Sequence, residues 1–221
     1  MRYLRLAAVL ILVSLVSLLS GCGEKTYLFD FTVEPDLSRA DGTWISSHSG
    51  YELSSEGIIL ESNWIAAPYL FNGDFTVTYD FEMKQDLLYT RMVYFVLASQ
   101  ANYLLADWSW ALAISDYNYE PGDFRLTQVL DGYSTNIVPP KPMDEVLNYP
   151  GANTFVVKKT GSFITFELNG YALGDGFAIE GYYLDWLCPH IGTFYEMGSD
   201  MDMDVFKVFE VKYKGDLVPS S

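Results

Sequence analysis

Cysteine and histidine are nearly missing from this chain, with two of each in 221 residues. That excludes a disulfide-stapled scaffold and a Cys/His zinc site, since neither can be assembled from so few ligands. Positive charge is scarce too: 13 Lys and Arg stand against 29 Asp and Glu, for a formal charge of −16. A chain that acidic repels a polyphosphate, which excludes nucleic acid as a partner. There is no internal repeat, no low-complexity tract and no Pro/Ser-rich linker to divide the chain. Only one long apolar stretch occurs, from Leu6 to Leu19. What is plentiful is apolar and aromatic side chain, with 50% hydrophobic content, 17 Tyr, 14 Phe and 5 Trp. Intrinsic disorder is therefore excluded, and the length suits one domain with an ample core.

Arg2 and Arg5 precede the apolar run, whose 14 residues would span about 21 Å as a helix, short of a ~30 Å hydrocarbon core. Residues 1–21 read as a secretory signal peptide and not as a permanent transmembrane helix. Directly after the run comes Leu19-Ser20-Gly21-Cys22, an aliphatic residue and two small ones before a cysteine. This resembles the lipobox of bacterial lipoproteins. The resemblance implies diacylglycerol on Cys22, cleavage before it and acylation of the new amine. Two or three acyl chains give stable attachment where one is marginal. The membrane then becomes a partner through the anchor, after secretion across the inner membrane. Gly23, standing where a retention Asp would, favours the outer membrane in a two-membrane bacterium. Residues 22–25 become the lipidated cysteine and a short tether. Loss of residues 1–21 takes the formal charge from −16 to −18 and leaves 35 aromatic rings. Cys188 remains as the one unacylated thiol, read as a small buried hydrophobe.

Beyond the tether the chain reads as strand after strand. In Phe75–Met83 the residues Phe75, Val77, Tyr79, Phe81 and Met83 alternate with Thr76, Thr78, Asp80 and Glu82, the pattern of a half-buried strand. Phe29, Phe31 and Val33 alternate in the first strand. Further candidates are Ile58–Glu61, Arg91–Ala98, Trp108–Ser115, Phe124–Leu130, Thr154–Lys159, Phe163–Leu168, Ile191–Glu196 and Val205–Tyr213. Turn pairs separate them: Asn72-Gly73, Pro121-Gly122, Thr160-Gly161 and Asn169-Gly170. An Asn-Gly pair supplies the positive φ angles of a two-residue hairpin. Pro139, Pro140 and Pro142 suggest a rigid extended loop, and Met143–Leu147 one helical turn. About ten short strands without an amphipathic helix predict an all-β fold, a two-sheet antiparallel sandwich or barrel.

The order of these pieces is similar to the concanavalin A-like lectin/glucanase superfamily, in its laminin-G-like and glycoside-associated branches. The residues that carry it are Trp44, Tyr51-Glu-Leu53, Gly57-Ile-Ile-Leu60, Gly73-Asp-Phe-Thr-Val77, the run from Asn153 to Gly170, Ile191-Gly192 and Phe206 to Tyr213. The resemblance implies a jelly roll over residues 26–215, with 216–221 as a C-terminal tail. It also implies that the last strand pairs beside the first. Gly42-Thr43-Trp44 looks like the opening of a lipocalin, but that shorter eight-stranded barrel suits the hairpins at 153–170 poorly.

Enzymes of the glucanase type carry catalytic acids on one strand in a Glu-x-Asp-x-x-Glu or similar pattern, and no such pattern occurs here. Asp80 and Glu82 share a strand face, but it is the exposed face of an ordinary strand. His48 and His190 lack the partners of a nucleophilic triad. Asp200, Asp202 and Asp204 project the same way from an extended segment and form a candidate structural Ca²⁺ site of hard oxygen donors. Sugar recognition needs aromatic faces plus a few polar groups. The alternation in 104–114 puts Asp107, Ser109 and Ser115 opposite Trp108 and Trp110. A candidate ligand groove follows, with Asp107 in its floor beside Arg91 and Arg125, and with Trp64, Tyr117 and Tyr119 as loop aromatics. The reading is an envelope lipoprotein that binds a glycan without covalent chemistry. The alternatives are a glycoside hydrolase or lyase with an unrecognised acid pair, and a structural or protein-interaction lipoprotein.

Overall fold

The computed structural model of the chain describes residues 23–32, 38–39, 42–43, 45–46, 51–60, 63–67, 69–83, 91–99, 108–116, 123–130, 133–142, 145–148, 150–178, 187–195, 205–214 and 218–219. In chain order the strands begin with β1 (Lys25–Asp30), β2 (Ser38–Arg39), β3 (Gly42–Thr43), β4 (Ile45–Ser46), β5 (Tyr51–Ser54), β6 (Gly57–Leu60) and β7 (Trp64–Ala66). Next come β8 (Tyr69–Leu70), β9 (Phe75–Met83), β10 (Arg91–Ala98), β11 (Trp108–Asp116), β12 (Asp123–Leu130), β13 (Tyr133–Pro142) and β14 (Gly151–Thr160). The last are β15 (Phe163–Leu168), β16 (Tyr171–Ala172), β17 (Phe177–Ala178), β18 (Cys188–Tyr195), β19 (Val205–Tyr213) and β20 (Val218–Pro219).

Most of these strands form two large antiparallel sheets, while β2 with β3 and β8 with β20 make two separate pairs. The first runs β16-β15-β14-β9-β19-β6-β5, and the second runs β13-β12-β11-β10-β18-β7-β4. The first strand does pair with the last long one, Lys25 opposite Tyr213 and Asp30 opposite Val208. β6 takes up the same edge of β19 at Phe206 and Val205. A bond from the Phe31 amide to the Lys207 carbonyl, 2.8 Å, bridges the interval between them. The chain is thus a two-sheet antiparallel sandwich of jelly-roll type.

Strict alternation decides which side of each strand goes inward. β9 is buried at every odd residue and half-buried at every even one, and β15 alternates exposed and buried throughout. The inward rings meet around Phe95 of the second sheet. Its centroid lies 4.9 Å from Tyr79, 4.9 Å from Phe81, 5.1 Å from Phe155 and 6.0 Å from Phe206, all four on the first sheet. Phe155 also stacks on Phe166 at 6.2 Å. At one end Phe71 sets its edge against Tyr213 at 5.3 Å, closing that margin of the core.

Asn169 carries a positive φ of 51° and Gly170 one of 79°, so the pair makes the two-residue turn that joins β15 to β16. The Asn169 side chain has a second task. It accepts from the Thr154 amide at 2.9 Å and donates to the Val146 carbonyl and to Asn153 Oδ1. Buried Asn153 accepts from the Asn148 amide and donates to the Asn148 and Gly151 carbonyls. The two amides therefore lock the turn to the start of β14 with their polar groups satisfied, which is what lets them be buried.

One expectation needs correction. Pro139, Pro140 and Pro142 lie in β13, an edge strand of the second sheet, and not in a loop. An edge tolerates proline because one side of the strand has no ladder bond to donate, and the β12–β13 register shifts close by. Of the helical turn expected at 143–147, residues 143–144 lie outside the described residues, and Glu145 is 3₁₀-helical, followed by a turn at Val146.

Tyr79 sits at the centre of the sandwich, and burial pushes its phenol well above the ordinary value of 10.0, with the Cys188 thiol adding to the effect. Above pH 10 the unfolded chain sheds this proton and the folded chain keeps it, so stability falls as pH rises through that range. In urea titrations, Tyr79→Phe is expected to lose less stability than the parent between pH 8 and pH 11; equal losses would refute this.

Candidate functional site

The side of the second sheet that faces away from the core is ordered by strand register. One row crosses five strands: Arg125 of β12, Ala113 of β11, Tyr94 of β10, Gly192 of β18 and Trp64 of β7. The next row holds Thr127, Ala111, Val96, His190 and Ala66. A third holds Val129, Ser109, Ala98 and Cys188.

Gly192 shapes the first row. A methyl group there would stand 2.5 Å from the Tyr94 hydroxyl and closer still to the ring. The half-buried Tyr94 ring therefore leans across β18 in the space that a missing Cβ leaves. Trp64 flanks it on the far side, packed with Ala66 and Cys188, while Leu70 and Tyr94 cover this cluster in part. The Trp64 and His190 rings lie 5.6 Å apart at 60°. His190 is fully buried, with Nδ1 2.9 Å from the Cys188 carbonyl oxygen. Cys188 is a buried free thiol, its Sγ 3.4 Å from the Ala67 carbonyl oxygen. Both residues lie on the same side of the sheet as Tyr94 and Trp64, in the neighbouring rows, and are covered from solvent.

The register brings two of the anticipated ligand residues, Trp64 and Arg125, into one row. Trp64 stands in a strand and not a loop, and at 7% exposure it serves as the wall beside Tyr94 and not as an open stacking face. Arg91 opens β10 opposite Asp116 and Tyr195, in the alternation set of Val93, Phe95 and Leu97, so it does not share the Arg125 row. Asp107, Tyr117 and Tyr119 lie outside the described residues, as do Cys22 and Asp200, Asp202 and Asp204. Among the described residues no group of three His, Cys, Asp or Glu is placed to hold a metal ion, and no helix is long and apolar enough to cross a membrane. Tyr94 is the residue that sequence reading passed over. Its signal was the Ile191-Gly192 pair, since a glycine in mid-strand often marks something laid across it.

Among the described residues one carboxylic residue falls in the outward set, Asp123 of β12, opposite Ser115. The outward rows on β10, β11 and β18 comprise Met92, Tyr94, Val96, Ala98, Ser109, Ala111, Ala113, Ser115, Cys188, His190, Gly192 and Phe194, without an Asp or Glu. Asp80 and Glu82 sit on the outer side of the first sheet. There Asp80 accepts from the Thr154 hydroxyl at 2.6 Å and Glu82 pairs with Lys207 at 2.5 Å.

No protein-family profile matches the sequence, and no curated protein matches it. Solved structures do match its shape. One is the CBM2 module of the evolved Dit of Lactobacillus casei BL23 phage J-1, with a TM-score of 0.62 and 12% identity, covering 87% of this chain and 98% of that one. Another is the carbohydrate recognition domain of Emp47p, TM-score 0.57 and 12% identity, covering 86% and 96%. A third is the endo-beta-1,3-glucanase of Pyrococcus furiosus, TM-score 0.54 and 12% identity, covering 75% and 70%. At such identities the likeness is one of fold, and that fold serves binding modules and hydrolases alike.

Proposed function

We propose that the chain is an envelope lipoprotein, anchored through Cys22, whose second sheet binds a glycan by aromatic stacking and polar contact without covalent chemistry. The observation that carries this reading is Tyr94 laid across Gly192, in register with Trp64 and Arg125. A flat ring against a sheet offers an apolar face for pyranose C–H groups. The similar binding modules support the choice of ligand class. A hydrolytic reading would need two carboxyl groups flanking the bond to be cut. Among the described residues the outward rows of β7, β10, β11, β12 and β18 hold a single carboxylic residue, Asp123, without a second beside it, and Asp80 and Glu82 are engaged on the opposite sheet.

The test is an array of bacterial, algal and plant polysaccharides probed with the full chain in detergent, alongside Tyr94→Ala. Binding by the parent and about thirtyfold weaker binding by the variant are expected, the loss of an interface anchor worth about 2 kcal/mol. Turnover of any glycan, or binding that ignores Tyr94→Ala, would overturn the proposal.

A further inference from the structure

Eleven Lys and Arg follow residue 21 in a chain rich in acids, and five of them gather at one end of the first sheet. One row there reads Lys25, Tyr213, Phe75 and Lys159, and the next reads Thr26, Lys212, Thr76 and Lys158. Lys214 lies one residue beyond. Lys159 is buried and donates to the Gly73 carbonyl at 2.6 Å, while Lys25, Lys158, Lys212 and Lys214 are exposed. Lys158 and Lys212 flank β9, two strand spacings or about 10 Å apart. The described acids nearby are Glu24, Asp74, which accepts from the Gly161 amide, Glu210, which pairs with Lys212 at 3.1 Å, Glu167, in the same row as Glu210, and Asp175, next to the Gly176 that packs on Phe163.

Two exposed rings share this end. Phe163, 43% exposed, opens β15 opposite Thr160. Tyr133, 80% exposed, opens β13 opposite Leu130. Register continues from Leu130 through Trp108 toward Cys188. The adjoining Leu187 bridges Phe71, which packs on Tyr213 and Phe75.

This is also where the chain enters the fold. Lys25 begins β1, and Cys22 precedes it by three residues that can reach at most about 10 Å. A sandwich so closely tethered holds this end within roughly one Debye length of the lipid headgroups, where charge attraction acts. We propose that this end of the sandwich is a membrane-docking surface, seated on anionic headgroups by Lys25, Lys158, Lys212 and Lys214, with Phe163 and Tyr133 at the interface. Aromatic rings and lysines favour that layer. The inference rests on the acyl anchor at Cys22 and is independent of glycan binding.

The full chain, made in a bacterium and purified from its membranes, is reconstituted into vesicles of phosphatidylcholine alone or with one third phosphatidylglycerol. Intact mass reports the acyl groups on Cys22, and a water-soluble amine-acylating reagent followed by peptide mass spectrometry reads each lysine. Labelling of Lys158, Lys212 and Lys214 is expected to fall about fivefold on the anionic vesicles and to return in high salt, with Lys207 labelled equally on both. In the Lys158→Gln/Lys212→Gln/Lys214→Gln variant, amide-exchange protection of residues 160–163 on anionic vesicles should disappear. Acylated protein whose lysines label equally on both vesicles would overturn the docking surface alone. Unacylated Cys22 would overturn the anchor and the docking surface together. Stronger protection by a soluble acidic polysaccharide than by vesicles would assign the lysines to a polyanionic glycan and overturn the proposal.

Discussion

Phe95→Ala is expected to destabilise the fold by about 3–5 kcal/mol, the range for deleting a fully packed aromatic ring. Phe95 is 2% exposed and is met by four rings of the opposite sheet, Tyr79, Phe81, Phe155 and Phe206. Those four stand on three different strands, β9, β14 and β19, so the void cannot close by the shift of one neighbour. For a domain of this size, each kcal/mol corresponds to about 2–4 °C in the melting temperature. A fall of roughly 10 °C is the predicted result of calorimetry. A loss under ~1 kcal/mol would mean that the sheets do not join through this residue. Phe95→Leu, which keeps most of the volume, should cost much less.

Gly192→Ala is expected to abolish most glycan binding through a single added methyl group. The new Cβ would occupy the space of the Tyr94 ring. β18 is held by β10 on one side and β7 on the other, so the ring must move and the backbone stays. Overpacking of this kind costs about 1–3 kcal/mol of stability. Affinity should fall about thirtyfold, as for removal of the ring itself. The double variant Tyr94→Ala/Gly192→Ala separates the two effects. With the ring gone the methyl group has room, so the pair should be no less stable than Tyr94→Ala alone while binding stays lost. If Gly192→Ala bound glycan as tightly as the parent, the Tyr94 platform would not be the recognition element.

Much of the architecture could be read along the chain, for local reasons. Phe75–Met83 shows its buried face through alternation alone, and Asn169-Gly170 announces its turn because few residues adopt that φ. β10 was harder. Met92, Val93, Tyr94, Phe95, Val96 and Leu97 are apolar or aromatic on both sides, so alternation cannot say that Phe95 faces the core and Tyr94 does not. The two prolines at 139–140 read as a loop because their tolerance depends on β13 lying at an edge, which is a property of the sheet and not of the segment. The row from Arg125 to Trp64 joins strands far apart in sequence, and only their register aligns it. For the same reason Arg91 and Arg125 looked equivalent in sequence, although the ladder puts them in different alternation sets.

The pairing of β1 with β19 bears on how the molecule is made. Lys25 finds Tyr213 only after almost the entire polypeptide lies between them. Contacts of such separation form slowly, because loop closure must precede the gain from pairing. A chain emerging amino end first cannot seal its first sheet until the last long strand is free. The amino-terminal strand β1 therefore takes its place in the first sheet only once the carboxyl end is released, so closure of that sheet is a late step for a chain made in this order.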